Sequence, residues 1–119
     1  MLLNMSDWVY RIMPAREWQE IQTCSAYQPD ELEKDGFIHL SCLHQVVEVA
    51  NFICAGRTDM LLLQLDVAHL QDLRSEDLYG YQQDFPHLYG PLPLQAVQQV
   101  HPLIWKENTF VLPETSPVP

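Results

Sequence analysis

Leu43, Val46, Val47, Ala50, Ile53 and Cys54 recur at the i, i+3, i+4, i+7 spacing of a helix with one apolar face, and His44, Gln45, Glu48 and Asn51 fall on the other. A face of that kind has to be buried against a second element, and the chain supplies one directly afterwards. Met60–Leu65 (MLLLQL) is short and almost wholly apolar, the pattern of a central strand covered on both sides. Gly56 is placed to end the helix and Ser41 to cap its start. A helix packed on a buried strand is therefore the unit around which the rest of the chain must arrange itself.

The flanking segments add strands. Val9–Met13 (VYRIM) alternates as a first strand, and Pro14 opens a short helix over Ala15–Thr23, with Trp18 and Ile21 three apart. Tyr27–Asp35 (YQPDELEKD) reads as an acidic surface loop, and Gly36–Leu40 (GFIHL) as a short strand. Asp66 is placed to cap a single turn through Leu70. Leu73–Tyr79 and Phe85–Tyr89 read as strands separated by a Gly80–Asp84 turn, and Ala96–Trp105 as the last strand, with Pro102 marking a bulge or an edge. Strands outnumber helices. The expected class is α+β, one small domain with a mixed or antiparallel sheet and two or three helices packed on it. At 119 residues the chain has the length of one domain, expected over residues 1–112, with residues 113–119 (three prolines in seven) as a flexible tail.

Charge narrows the partners. Six basic against sixteen acidic residues give a net charge of −10, which argues against duplex DNA and makes a poor partner for RNA, because the phosphate backbone rewards Lys and Arg. No apolar run reaches the roughly 18–20 residues of a membrane span, and the N-terminal MLLNMSDW lacks the basic start of a secretory signal. The three cysteines (Cys24, Cys42, Cys54) form no CxxC pair, and Cys42 and Cys54 in one helix would lie about 18 Å apart along its axis. Reduced thiols in a cytoplasmic protein are the expectation.

Two histidine motifs carry the candidate chemistry. In Gly36-Phe37-Ile38-His39-Leu40-Ser41, a strand puts Phe37 and His39 on one face, and Ser41 opens the helix, where backbone N–H groups and the helix dipole favour anions. In Phe85-Pro86-His87-Leu88-Tyr89-Gly90, alternation puts Phe85, His87 and Tyr89 on one face. Imidazole and phenol suit a ribose, an amide or a stacked base. The plainer alternative is a core histidine, an ordinary serine cap and a tyrosine filling the core. A cleft holding His39, Ser41, His87 and Tyr89 requires the two strands to meet.

The order GFIHLS, amphipathic helix, Asp59-Met60-Leu61-Leu62-Leu63, Leu73-Arg74-Ser75-Glu76 and FPHLYG resembles the DUF952 family of small proteins of unknown function, over roughly Val9 to Leu103. Such proteins resemble, distantly, the ADP-ribosyltransferase-like folds, which bind NAD in a cleft between two small sheets, and the RNA 2′-phosphotransferase family. Phe37-Ile38-His39-Leu40 is similar to the second half of the latter's histidine strand, and Gly56-Arg57 falls near its arginine turn. Phe37 stands where that relative has a first histidine, and its other catalytic arginines have no match here. The resemblance implies NAD, ADP-ribose or a related nucleotide as ligand and glycosidic-bond chemistry. In that scheme His39 and His87 are catalytic and Glu76 stabilises a developing oxocarbenium. Ser41, Arg57, Arg74 and Tyr89 bind ligand, the arginines at the pyrophosphate.

Three other readings compete. Zinc could be held by His39 and His87 with His101 or Asp84, although no ligands sit at helical i, i+4 spacing. Cys42 could act as a nucleophile at a helix start. The domain could also be a non-enzymatic small-molecule or protein-binding module in which the histidines serve the fold.

Overall fold

The computed structural model describes residues 7–113. The expectations for the extreme N-terminus and, beyond Pro113, for the proline-rich tail lie outside the described residues.

The helix-on-strand unit sits at the centre. Strand β4 (Met60–Asp66) is the middle of a three-stranded antiparallel sheet, flanked by β1 (Trp8–Pro14) and β8 (Val97–Pro102). Alternation along β1 and β4 feeds two cores. Val9, Met13, Leu63 and Leu65 point to one face of the sheet, while Tyr10, Met60 and Leu62 point to the other. On that second face lie helix α3 (Val46–Cys54) and a hairpin of β9 (Ile104–Lys106) and β10 (Thr109–Val111), which contributes Phe110. On the first face lies a second three-stranded antiparallel sheet, β3 (Ile38–His39), β6 (Phe85–Leu88) and β5 (Leu73–Glu76), the β6 strand being central. Helix α1 (Ala15–Ile21) and a short pair of β2 (Ala26–Tyr27) with β7 (Leu92–Pro93) complete that side. The domain is thus α+β with every strand pairing antiparallel. No described helix is long and apolar enough to cross a membrane.

Several local expectations are corrected. The acidic stretch, expected to be a surface loop, contains helix α2 (Asp30–Asp35). Pro29 precedes it, its first turn is acidic, Lys34 lies in its last turn, and Gly36 takes the left-handed conformation (φ 88°) that ends it. Ser41 does not cap the helix. Its backbone bridges to Tyr10, in two N–H···O bonds of 2.8 and 2.9 Å, and so ties the strand of the first motif to the edge of β1. Cys42 is the capping residue instead, its N–H bonded to Gln45 Oε1 at 2.9 Å, and the helix opens with a 3-10 turn over Leu43–Gln45. Gln45, expected outside, is buried, whereas Leu43 and Ile53, expected inside, are exposed.

The last strand is broken at Leu103 into β8 and β9, and β9 turns back into β10 through a two-residue turn, Glu107-Asn108, with both residues at positive φ (52° and 68°). The irregularity in β8 lies at the Gln64/Leu65 register shift, not at Pro102, which sits at the end of this edge strand. The Asp66-capped turn forms as its sequence implies, with Asp66 Oδ1 accepting the Ala68 N–H at 2.9 Å.

Candidate functional site

Strands β3 and β6 pair so that His39 stands directly opposite His87, with Ile38 opposite Leu88. Ile38 and Leu88 are buried in the core, so the two imidazoles point the other way. Their ring centroids are 5.7 Å apart, edge to face. Phe37 closes the group from one side, stacked on His87 at 4.2 Å and 4.8 Å from His39.

Each imidazole is held from behind by a carboxylate. His39 Nδ1 lies 2.9 Å from Glu31 Oε2, which also accepts the His39 backbone N–H at 2.7 Å. Glu31 in turn receives a forked pair of bonds from Arg11, 2.9 Å each, and Arg11 also donates to the His39 carbonyl and to the Tyr27 hydroxyl. Tyr27 donates onward to Glu17. Burial alone would raise the Glu31 pKa, but bonds from His39 and Arg11 and the guanidinium charge outweigh it and hold the carboxyl well below the usual range. Burial likewise lowers and Glu31 more than restores the Arg11 pKa, whereas the Tyr27 phenol is pushed up, chiefly by burial.

His87, itself buried, places Nδ1 3.0 Å from Glu76 Oε1, the oxygen that also accepts the Tyr89 hydroxyl. The Tyr89 bond first, and His87 with it, holds Glu76 below its ordinary pKa, and the same bond raises Tyr89. An ionised carboxylate only accepts, so both histidines carry hydrogen on Nδ1, and in the neutral ring Nε2 is an acceptor. His39 Nε2 meets the Tyr79 hydroxyl at 3.1 Å.

Both histidines line a cleft of about 610 Å³, within the roughly 300–1,000 Å³ of small-molecule sites. Ser41 lines it beside them. Helix α3 contributes Glu48 and Phe52, and the opposite contribution comes from Tyr79, Tyr81 and Phe85. The segment carrying the tyrosines is built, not loose. Asp77 accepts the backbone N–H groups of Tyr81 and Gln82 at 2.9 and 2.8 Å, and Gly80 and Gln82 take positive φ. Buried Gln45 donates to Gln83 Oε1 (3.0 Å) and to the Asp84 carbonyl (2.7 Å), clamping the segment to the start of α3.

The fold thus brings His39, Ser41 and His87 to one cleft and sets Glu76 and Tyr89 behind His87. It does not bring Arg57 or Arg74 among the lining residues. Arg57 pairs with Asp59, and Arg74 pairs with Asp72 while lying 3.9 Å over the Tyr89 ring. The metal set is not gathered, since His101 and Asp84 do not line the cleft and no described group of three or more His, Cys, Asp or Glu side chains is arranged to hold an ion. Burial pushes the Cys42 thiol up, the opposite of what a thiolate nucleophile needs.

Sequence reasoning missed Glu31, Arg11, Gln45 and Tyr79. The helix signals around Glu31 were present, but its partners are 20 and 8 residues away and only topology joins them. Tyr79 gives a direct test of the network. Tyr79→Phe changes stability by less than about 0.5 kcal/mol, because the residue is half exposed. It shifts the His39 Nε2 resonance in histidine-selective 15N NMR and leaves that of His87 in place. Equal shifts of both would show that the 3.1 Å contact does not single out His39.

Comparison with curated proteins yields no match. The crystal structure of protein CC0527 from Caulobacter crescentus is similar, with 29% identity and a TM-score of 0.75 over 87% of this chain and 91% of that one. The solution NMR structure of the same protein gives 29% identity and a TM-score of 0.76 over 88% and 91%. Residues 12–100 match the family model described as a protein of unknown function, DUF952, and on that match the chain belongs to the DUF952 family.

Proposed function

We propose that the cleft binds the nucleoside end of NAD or a related nucleotide, and that His39 and His87 serve glycosidic-bond chemistry of the ADP-ribosyl-transfer kind. The observation that carries this reading is the pair of imidazoles on one rung of the β3–β6 ladder, each steadied at Nδ1 by a glutamate and each lining the same cleft. With Nδ1 of each ring turned to a glutamate, the two Nε2 atoms are left as acceptors that suit vicinal ribose hydroxyls, the one on His39 by displacing the Tyr79 hydroxyl. Tyr79, Tyr81 and Phe85 offer aromatic faces for a planar ring. The resemblance to ADP-ribosyltransferase-like folds points to the same ligand class.

In the reaction the C1′–N bond breaks, the nicotinamide ring leaves with the electron pair, an acceptor oxygen or nitrogen bonds to C1′, and its proton passes to a histidine Nε2. Glu76 acts here as a positioning residue, because its carboxylate is engaged by His87 and Tyr89. Arg57 and Arg74 are paired with Asp59 and Asp72 outside the cleft lining, so neither binds the pyrophosphate in this reading. A non-enzymatic binding module would use the same cleft without releasing nicotinamide.

Isothermal titration with NAD and ADP-ribose tests the reading. NAD is expected to bind more tightly than about 1 mM, equivalent to about −4 kcal/mol, with affinity falling at least about tenfold in His39→Ala and in His87→Gln, each checked for folding by circular dichroism. No heat up to about a millimolar, or binding indifferent to both substitutions, removes the nucleotide reading.

A further inference from the structure

We infer that the aromatic end of the cleft is built for a flat organic cation, a ring bearing its positive charge on nitrogen, and that phosphate groups add nothing to its binding. This rests on the reading of the cleft as a ligand site and adds the sign of the charge it selects.

Apart from the histidines, two charged side chains line the cleft, Arg11 and Glu48. Arg11 is mostly buried, and both its terminal nitrogens are bonded to Glu31, with Tyr27 and the His39 carbonyl as further acceptors. Its charge is cancelled within the protein. Glu48 is exposed on α3, and among the described residues no ion pair or hydrogen bond engages it. The uncompensated charge facing the cleft is therefore negative.

The same face of α3 carries Phe52, four residues on from Glu48 and 84% exposed. From the other side come Tyr79 (51% exposed) and Tyr81 (60% exposed), with ring centroids 6.0 Å apart, and Phe85 at 6.2 Å from Tyr81. Ring faces carry negative electrostatic potential and attract cations, most strongly where a carboxylate adds to the field. Asp35 lies close enough to act on the Tyr79 phenol, which burial first and then that charge hold above its ordinary pKa. A phosphate, by contrast, meets an anionic rim on a chain of net charge −10.

The test uses two probes of one shape, 1-methylnicotinamide, a cation, and 3-methylbenzamide, its neutral isostere, titrated against 15N-labelled protein at low salt. The cation is expected to bind at least about tenfold more tightly, to shift the amides around Glu48, Phe52, Tyr79 and Tyr81, and to weaken at high salt. Glu48→Gln should reduce cation affinity several-fold and leave the neutral probe unchanged, whereas Phe52→Ala should weaken both. Nicotinamide mononucleotide should bind no better than nicotinamide riboside. Equal affinity for the two isosteres, tighter binding of the neutral one, or a gain from the phosphate overturns the inference. If neither ring binds, the inference falls, and the histidine-dependent NAD titration alone decides whether the nucleotide reading stands.

Discussion

Glu31→Ala is expected to unfold about 10–15 °C below the wild type at pH 7 and to lose whatever ligand binding depends on His39. The side chain joins three elements: it projects from α2, receives the fork of Arg11 from β1, and holds both the backbone and the ring of His39 on β3. Removing it leaves a guanidinium that is 11% exposed without its counter-ion, a loss of about 3–5 kcal/mol. The pH dependence has a definite sign. Glu31 has a folded pKa depressed below the ordinary 4.5, so its stabilisation is complete above that value and is lost as pH falls from there toward the folded pKa. Urea melts of wild type and variant should therefore differ most at neutral pH and converge on acidification. A gap that stays constant from pH 7 to pH 3 would show that the effect is loss of helix α2 and not loss of the ion pair.

What the sequence made legible was what depends on local pattern. The i, i+4 face before Gly56 and the apolar run of Met60–Leu65 are read within a dozen residues, and both elements form where the pattern puts them. Leu43, Phe52 and Ile53 show the limit of that pattern. Helical spacing says which residues share a face, but α3 packs only the stripe of Val46, Ala50 and Cys54 on the sheet and leaves an apolar flank beside the cleft. The histidines were legible as chemistry, and their meeting across β3 and β6 was not, because antiparallel register between strands nearly fifty residues apart is set by how Ile38 and Leu88 pack in the shared core, which neither motif shows by itself. Gln45 shows the reverse case. A polar residue on the polar side of a helix reads as solvated, yet its carboxamide satisfies Cys42, Gln83 and Asp84 and fixes the segment that presents Tyr79.

Leu63→Ala and Leu62→Ala should each cost about 2–5 kcal/mol, and they should damage different parts of the molecule. Both leucines are fully buried on β4 and are neighbours in sequence, so strand alternation sends them to opposite faces. Leu62 belongs to the core beneath α3 and the β9–β10 hairpin, with Val46, Ala50 and Phe110. Leu63 belongs to the core that joins the two sheets, together with Val9, Ile38 and Leu88. Ile38 and Leu88 are the residues next to His39 and His87 on the same ladder. A cavity at Leu63 therefore loosens the seat of the histidine pair, whereas a cavity at Leu62 loosens the α3 wall that carries Glu48 and Phe52. Amide hydrogen exchange resolves the two, with faster exchange expected in β3 and β6 for Leu63→Ala and in α3 and β10 for Leu62→Ala. The same pattern of exchange in both variants would mean that the two cores open as one unit and that the cleft has no separately supported walls.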